Sequence, residues 1–192
     1  MCDKGTLLVF SGPAGTGKDT VLASFLEKNV PGVWKSVSYT TRAPREGEID
    51  GVDYRFITVE DFENLIKEDA MLEYAKYGVN YYGTPKKEVD QHLKNGDVVS
   101  LKIEVQGASQ SKELYNDATG AFIFPPSLEV LEKRLRGRGT ETDEDIKRRL
   151  NIAKDELEYS SNYDYHIIND KLEDAVDDLY AVIRALQLKN KN

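Results

Sequence analysis

The sequence predicts an α/β fold: helices flank a mostly parallel β-sheet, and an inserted lobe of mixed α/β structure and a helical lid interrupt it. Four short apolar runs rich in Val, Ile, Phe or Tyr have the length of buried strands, at 6–10, 98–105, 120–124 and 163–168. Segments with helical spacing lie between or after them, at 20–28, 109–115, 128–136, 143–159 and 172–188. Strands that alternate with helices predict right-handed βαβ units and a parallel sheet covered on both faces.

Two stretches break this alternation and predict the division of the chain. Residues 35–96 hold half-buried strand candidates at 36–39 and 54–57, two short helices and a cluster of Gly and Tyr. The segment RGRGTET at 136–142 sets two glycines among arginines, which is typical of a mobile flap. We therefore expect one domain over 1–192, with a core at about 1–34, 97–126 and 160–192, a lobe at about 35–96 and a lid at about 127–159.

Composition excludes several function classes. The 192 residues include 26 Lys plus Arg and 34 Asp plus Glu, a net charge of −8 that disfavours binding to nucleic acid or to an anionic membrane. One cysteine, Cys2, excludes an internal disulfide framework, and two His leave few metal ligands. No apolar stretch approaches the roughly 20 residues of a membrane span, and the first apolar run is too short for a secretory signal. These features predict a soluble, cytoplasmic protein.

A glycine-rich loop follows the first predicted strand and matches the GxxxxGK part of the P-loop pattern in the strand-to-helix context that the pattern requires. The loop and its flank consist of Gly12, Pro13, Ala14, Gly15, Thr16, Gly17, Lys18, Asp19 and Thr20. The glycines let backbone amides turn inward around an anion, and the next helix adds the positive end of its dipole. Lys18 would reach the terminal phosphates, so the core is predicted to be that of a P-loop NTPase. A glycine-rich turn with a chance lysine is the alternative.

The loop departs from the pattern at Asp19, where a Ser or Thr hydroxyl would ligate Mg²⁺. A carboxylate beside bound triphosphate adds repulsion unless a cation lies between them. Asp19 is therefore either a group on the magnesium side of the site or a sign of altered chemistry.

Polar residues in the lobe suit a phosphate and a base. Arg42 and Arg45 follow a run of hydroxyls, and paired guanidinium groups bind a phosphate monoester through bidentate hydrogen bonds. Further on come Tyr54, Glu73, Tyr82 and Thr84. A carboxylate can accept from both N1–H and the exocyclic amine of guanine. Singly, each residue has a plainer interpretation, as solvated surface for the arginines and as packing for the tyrosines.

Six motifs together resemble one family. The chain resembles the guanylate kinases along nearly its whole length, because six motifs occur in the order and spacing found in that family. They are GPAGTGK, SVSYTTRAPR, the GxDYxF element at 51–56, NYYGT, IEVQG and RGRGTET. The resemblance implies ATP-dependent phosphorylation of GMP to GDP by in-line transfer, with dGMP as a further acceptor. It further implies a core, a GMP-binding lobe and a lid, with ATP and Mg²⁺ as cofactors and GMP and ATP as the small-molecule partners.

The resemblance also implies roles for individual residues. The loop from Gly12 to Thr20 would bind ATP. The positions that match guanine contacts are Ser38, Glu73 and Thr84, and those that match GMP phosphate contacts are Arg42, Arg45, Tyr54 and Tyr82. The groups expected to act on the transferred phosphoryl are Lys18, Arg42, Arg138 and Arg149. Asn169 would lie near adenine, and Glu104 matches an acidic position at the end of the central strand.

Five of the nine arginines fall between 134 and 149. We assign Arg138 and Arg149 to the lid, whereas Arg134, Arg136 and Arg148 suit either the lid or simple ion pairs on two helices. Transfer between two anions needs alignment, charge neutralisation and exclusion of water more than a general base.

A second departure lies at Lys102, two residues before Glu104, where the family places a carboxylate that helps to hold Mg²⁺. We assign no direct metal ligand. Because Asp19 and Lys102 both lie at the mouth of the same predicted sheet, we expect them to form an ion pair. The other possibility is impaired Mg²⁺ binding and turnover, in which case reverting both positions, Asp19→Ser with Lys102→Asp, would raise the rate at limiting Mg²⁺.

Two rival functions remain at this level. A guanylate-kinase-like interaction domain would have the fold but bind a protein or phosphopeptide, and such domains typically lose the P-loop and lid arginines that this chain keeps. An enzyme with another nucleoside monophosphate as acceptor is the third possibility, and Glu73 with Thr84 argues against it.

Overall fold

A computed structural model describes residues 5–103, 105–137 and 142–190 of the chain. In chain order the strands are β1 (Thr6–Ser11), β2 (Val33–Lys35), β3 (Tyr39–Thr40), β4 (Arg55–Phe56), β5 (Met71–Tyr77), β6 (Asn80–Pro85), β7 (Val98–Lys102), β8 (Thr119–Phe124) and β9 (Tyr165–Ile168). The helices are α1 (Lys18–Leu26), α2 (Val59–Lys67), α3 (Lys86–Lys94), α4 (Val105–Leu114), α5 (Leu128–Arg136), α6 (Asp143–Glu158) and α7 (Leu172–Lys189). A 3₁₀ turn at Tyr159–Asn162 follows α6.

Five strands form one parallel sheet in the order β2-β7-β1-β8-β9. The central strand β1 is buried throughout and pairs with β7 on one side and β8 on the other. Crossing helices join the parallel strands, as the alternating pattern predicts. The predicted α/β fold with a mostly parallel sheet is confirmed.

Alternate residues of β1 pack on opposite faces of this sheet, because side chains of a strand alternate in direction. Leu8 and Phe10 lie in an apolar cluster with residues of α1 and α7. Leu7 and Val9 lie in a second cluster with residues of α3 and α4. Both clusters are fully buried at the sheet, so β1 and the loop that follows it stand on a rigid base.

A second sheet, mixed in direction, lies between β2 and α3 in the chain, with strand order β4-β3-β6-β5. β5 and β6 form an antiparallel hairpin, β6 also pairs with β3, and β3 runs parallel to β4. α2 begins where the Thr58 hydroxyl accepts a hydrogen bond from the Asp61 amide, an N-cap that the sequence TVED provides. This sheet is the mixed α/β insertion that the sequence predicts.

The strand predicted at 98–105 is wrong at its end. β7 ends at Lys102, and α4 begins at Val105, four residues before the predicted helix. The Ser11 hydroxyl donates to the Ile103 carbonyl over 2.8 Å, which takes up an acceptor just beyond the last β1–β7 pair. Ile103 and Val105 are both apolar and buried, so the sequence pattern predicts that the strand continues through them. In the structure Val105 instead belongs to α4, where it and Ala108 form part of the buried face of the helix.

The helices of the predicted lid lie close to their expected bounds, with α5 at 128–136 as predicted. They share a small apolar cluster that includes Leu131, Leu135 and Ile146. The predicted flap at 136–142 falls mostly outside the described residues. None of the helices in the described ranges is both long and apolar enough to cross a membrane.

Candidate active site

The glycine-rich loop turns sharply between β1 and α1. Gly12 and Gly17 have φ of 150° and 91°, a region that residues with a side chain rarely adopt. A Cβ on Gly12 would lie 2.4 Å from the Ile123 carbonyl oxygen, and one on Gly17 would lie 2.4 Å from Asn169 Nδ2. The loop therefore needs glycine for both backbone conformation and space, and it ends with the amino terminus of α1 directed at the loop.

Lys18 is the first residue of α1 and is buried, with 8% of its surface exposed. Its ammonium donates to the carbonyl oxygens of Gly12 and Pro13, the latter over 3.1 Å. These contacts hold the amine over the loop that is predicted to bind phosphates.

The loop is braced from β9 and α5. Asn169 is buried and its amide donates to the Thr16 carbonyl over 2.7 Å. Arg134 donates to the Asn169 carbonyl over 2.8 Å and to the Thr16 carbonyl over 3.4 Å. Arg134, which the sequence left open between two roles, thus positions the loop, and the adenine contact predicted for Asn169 stays a prediction.

Asp19 and Lys102 form the ion pair that the sequence led us to expect, which confirms that hypothesis. Asp19 extends from the first turn of α1, and Lys102 is the last residue of β7. Desolvation opposes ionisation of Asp19, but the neighbouring Lys102 ammonium and Lys18 outweigh it, so the pKa of the Asp19 carboxyl is lowered. Asp19 therefore stays charged and paired near neutral pH.

One face of the lobe sheet collects the predicted guanine and phosphate contacts. Directly paired residues of antiparallel strands point to the same face, and the register pairs Glu73 with Thr84 and Ala75 with Tyr82. Thr84 and Tyr82 are two residues apart on β6, so they share that face. Tyr54 lies against Tyr82, with ring centroids 6.0 Å apart.

Glu73 is a buried carboxylate, 6% exposed, whose Oε1 accepts from the Thr84 hydroxyl over 2.7 Å. Its Oε2 lies beside Gly107 of α4, where a Cβ would be 2.8 Å away. Burial raises the pKa of Glu73, and the hydrogen bonds from Thr84 only partly offset that effect. Because burial of a charge costs stability, this carboxylate is a candidate for ligand binding rather than for packing.

Arg42 is held in a fork by Glu48. Its two terminal nitrogens donate to the two Glu48 oxygens over 2.6 and 2.5 Å, and the backbone amide of Arg45 donates to Glu48 over 2.7 Å. The hydrogen bonds from Arg42 lower the pKa of Glu48 to about 2. The guanidinium also lies over the Tyr54 ring, 5.1 Å from its centroid. These contacts together fix the orientation of the Arg42 guanidinium, which is a candidate for phosphate binding.

A cavity of about 640 Å³ lies between α1 and the lobe. Its lining brings together three of the four phosphate-contact candidates of the lobe and the charged pair of the core, with further residues around them: Asp19, Leu22, Ala23, Leu26, Glu27, Lys35, Arg42, Arg45, Glu48, Val52, Asp53, Tyr54 and Lys102. The fourth candidate, Tyr82, and the guanine candidates Glu73, Thr84 and Ser38 are not among these residues. The structure therefore brings Arg42, Arg45 and Tyr54 to the core, while Tyr82 and the guanine candidates lie outside this cavity.

The lid arginines differ in their surroundings. Arg136 pairs with Glu132 over 2.8 Å and with Asp143, and Arg148 pairs with Asp145 over 2.7 Å, so both take the ion-pair role. Arg149 is half-buried on α6. Arg138 and Glu104 lie outside the described residues.

Sequence reasoning missed two residues of the site. The first is Glu48, which orients Arg42. The sequence does place this acidic residue three positions after Arg45, a spacing suited to a turn. Lys35 lines the same cavity as Asp19 and donates to the Val52 carbonyl over 3.0 Å. Lys35 belongs to none of the sequence motifs and lies at the predicted boundary between core and lobe.

A glycine-rich loop between β1 and α1, on a parallel sheet with an inserted lobe that directs two arginines at the same cavity, defines a P-loop nucleotide-binding protein of the kinase type. A sequence model of the family described as guanylate kinase matches residues 4–186. The chain is 50% identical over 183 residues to a guanylate kinase of Clostridium tetani, covering 95% of this chain and 87% of that protein. It is 47% identical over 189 residues to one of Oceanobacillus iheyensis, covering 98% and 91%.

The structure also resembles the crystal structure of guanylate kinase from Anaplasma phagocytophilum, with a TM-score of 0.79 and 34% identity. That alignment covers 96% of this chain and 87% of the other. The chain belongs to the guanylate kinase family.

Proposed function

We propose that this protein phosphorylates GMP to GDP with ATP as the donor, and dGMP to dGDP as well. The observation that carries the proposal is the buried Glu73 carboxylate, hydrogen-bonded to Thr84 on the face of the lobe that also bears Tyr82 and, beside it, Tyr54. A buried acceptor of this kind suits the adjacent N–H donors of guanine. The relatives named guanylate kinase support the same activity.

The proposed division of labour follows the predicted parts. The lobe at 35–96 takes the acceptor, the core takes ATP on the loop from Gly12 to Thr20, and the lid at 127–159 closes with Arg149 and Arg138. Arg42, Arg45, Tyr54 and Tyr82 bind the GMP phosphate, and Ser38 adds a contact to the base. In the same proposal Asn169 lies near adenine, and Glu104 is the acidic residue of the site at the end of the central strand.

Chemically, the site needs to align two phosphate groups and offset their charge. The acceptor is already a phosphate oxygen, so no general base is required. Lys18 at the start of α1 and Arg42 at the cavity wall are directed cations, and the helix dipole adds to them. The fixed position of Arg42 in the Glu48 fork means that little reorganisation is needed when phosphate arrives.

Mg²⁺ is the cation expected to accompany ATP, but the described side chains do not form a cage for it. Among those residues, no three His, Cys, Asp or Glu side chains are grouped to hold a metal ion. Asp19, the carboxylate beside the loop, is already paired with Lys102. A Mg²⁺ ion that enters with ATP would therefore have the phosphate oxygens as its main ligands.

A coupled assay that measures ADP release tests the function, with MgATP and GMP, dGMP, AMP, CMP, UMP or dTMP as acceptor. We expect turnover with GMP and dGMP at rates at least about 100-fold above the other acceptors, because a site built to pair with specific N–H groups rejects bases that lack them. Activity on AMP alone would refute the guanine assignment. No turnover with any acceptor, despite GMP binding, would instead support a binding domain whose catalysis is impaired at Asp19 and Lys102.

A further inference from the structure

We propose that Lys102 is a ligand of the acceptor phosphate, adding a third cation to the arginine pair, and that Asp19 holds its ammonium at the wall of the cavity. This proposal rests on the proposed function, since it takes GMP as the acceptor. It assigns a substrate contact to the residue that departs from the family pattern.

Lys102 and Arg42 approach the same aromatic ring from different parts of the molecule. The Lys102 ammonium lies 5.6 Å from the centroid of the Tyr54 ring, and the Arg42 guanidinium carbon lies 5.1 Å from it. Lys102 comes from the core strand β7, whereas Arg42 and Tyr54 belong to the lobe. The core cation therefore faces the phosphate set of the lobe as well as the loop that binds ATP.

The cavity wall makes this cation available to a small anion. Lys102, Arg42, Arg45 and Tyr54 line one cavity of about 640 Å³, large enough for a nucleotide phosphate with its sugar. An ammonium has three N–H donors, so it can hold the Asp19 carboxylate and a phosphate oxygen together. Asp19 then acts as a support that fixes the long lysine side chain at the wall.

A second lysine lies near Lys102 at this wall. Lys35 of β2 lines the same cavity, and burial together with the Lys102 ammonium lowers the pKa of Lys35. Like charges brought together in this way repel each other, and an incoming dianion would relieve the repulsion. This pair of lysines thus favours a phosphate over the neutral part of a nucleoside, in a lining that otherwise holds both acidic and basic side chains.

Calorimetric affinities of GMP and guanosine, measured with EDTA and without ATP, separate a phosphate contact from a structural role. In Lys102→Met, we expect GMP to bind about 10- to 100-fold more weakly, the range for loss of a charge-assisted hydrogen bond. Guanosine, which lacks the phosphate, should bind within about twofold of the unaltered protein. Lys102→Arg should restore most of the GMP affinity, because it keeps a cationic donor.

Two matched variants control for charge and for the ion pair. Lys28→Met removes a lysine that pairs with Asp177 over 3.4 Å, away from the cavity wall, and should leave both affinities within about twofold. Asp19→Asn removes the negative charge of the pair but keeps a side-chain oxygen that accepts from the Lys102 ammonium, so the lysine stays at the wall. It should bind GMP about two- to fivefold more tightly, since a negative charge beside the phosphate is removed.

The outcomes distinguish this proposal from the function on which it rests. If the unaltered protein binds neither GMP nor guanosine, both fail. If it binds GMP and Lys102→Met binds GMP equally well, the phosphate contact is refuted while the function stands. Parallel loss of guanosine affinity in Lys102→Met, or loss of GMP affinity in Asp19→Asn, would show a structural ion pair and also overturn the proposal.

Discussion

Glu73 illustrates how a single residue can oppose stability and serve binding. Its carboxylate is buried against Thr84 and Gly107, and within the described residues no cation lowers its pKa. Burial raises its pKa, so the folded protein binds a proton at this site more readily than the unfolded chain does. Ionised Glu73 therefore destabilises the free protein near neutral pH, and the guanine contact proposed for it gives a reason to retain it.

Replacement of this carboxylate should separate binding from stability. In Glu73→Gln we expect guanosine affinity to fall about 100-fold, since a neutral amide offers one acceptor where the carboxylate offers two. The same variant should unfold at a higher temperature at pH 7, because no charge is buried. Calorimetry and thermal unfolding measure the two effects, and Glu60→Gln, on the exposed face of α2, is the matched control. A drop in both affinity and melting temperature would contradict this account.

The raised pKa of Glu73 also predicts a pH dependence. In the proposed function the ionised form accepts hydrogen bonds from guanine, so guanosine affinity should fall as the pH drops through a pKa above the ordinary value of 4.5. The free energy of unfolding depends on pH in the opposite direction. The contribution of Glu73 to it is fully present below a pH of about 4.5 and is lost as the pH rises through the pKa of the folded state. The stability gained by Glu73→Gln should therefore grow with pH and then level off, which urea unfolding across pH 4 to 8 can measure. A gain that is constant with pH would refute the assignment to this carboxyl.

At the scale of elements, the turn from β1 to α1 depends on packing against β9. Gly17 has φ of 91°, and its missing Cβ is the space occupied by the Asn169 amide that donates to Thr16. The turn and its brace are thus one unit.

Gly17→Ala should cost about 2–4 kcal/mol of unfolding free energy, because it adds left-handed backbone strain and displaces a buried hydrogen bond. Gly78→Ala is the control: its φ is also positive, at 62°, but nothing lies within 4 Å of the added Cβ. We expect Gly78→Ala to cost only about 1–2 kcal/mol. Chemical denaturation compares them, and equal costs would show that the contact with Asn169 carries no energy.

The two lid helices contain arginines with different predicted duties. Arg136 joins α5 to α6 through Glu132 and Asp143, and its side chain is 45% exposed. Exposed ion pairs contribute little, so Arg136→Gln should leave stability nearly unchanged and change kcat by less than about threefold. Arg149→Gln should lower kcat by about 100-fold or more, as expected for a cation that neutralises the transferred phosphoryl. Steady-state kinetics test the contrast, which similar effects in the two variants would contradict.

For the whole molecule, net charge and the charge around the cavity differ. The chain carries −8, whereas the four cations that line the cavity, Arg42, Arg45, Lys35 and Lys102, are matched by four acidic side chains. A compact dianion can reach these cations, whereas a long polyanion must also meet the acidic surface.

This distribution predicts a salt dependence confined to the phosphate. Raising the salt from about 0.05 to 0.5 M should weaken GMP binding about tenfold, because mobile ions screen the cavity cations, and should leave guanosine affinity unchanged. Titration calorimetry at several salt concentrations measures this. Equal salt effects on both ligands would show that the cavity cations do not contact the phosphate.

The helices and strands with a clear local sequence pattern could be predicted from the sequence. α5 was bounded correctly because Ser127 caps it and apolar residues recur at helical spacing. The hairpin β5–β6 and the core strand β2 were not recognised, since their strands are half-exposed and mix Tyr, Lys and Trp without clear alternation. The end of β7 depends on the Ser11 contact with Ile103, 92 residues away, which no local pattern contains.

The sequence by itself determined the family, the phosphate loop and the identity of the expected contacts, because glycines, arginines and a carboxylate at these spacings are set by the covalent order of the chain. The sequence also predicted the pairing of Asp19 with Lys102, which the structure confirms. Only the tertiary structure decided the other partners. It placed Glu48 in the fork of Arg42, and Arg134 against the loop rather than an anion. These partners are far apart in the chain or compete with other acids, and an ion pair depends on distance and burial, which exist only after the sheets pack.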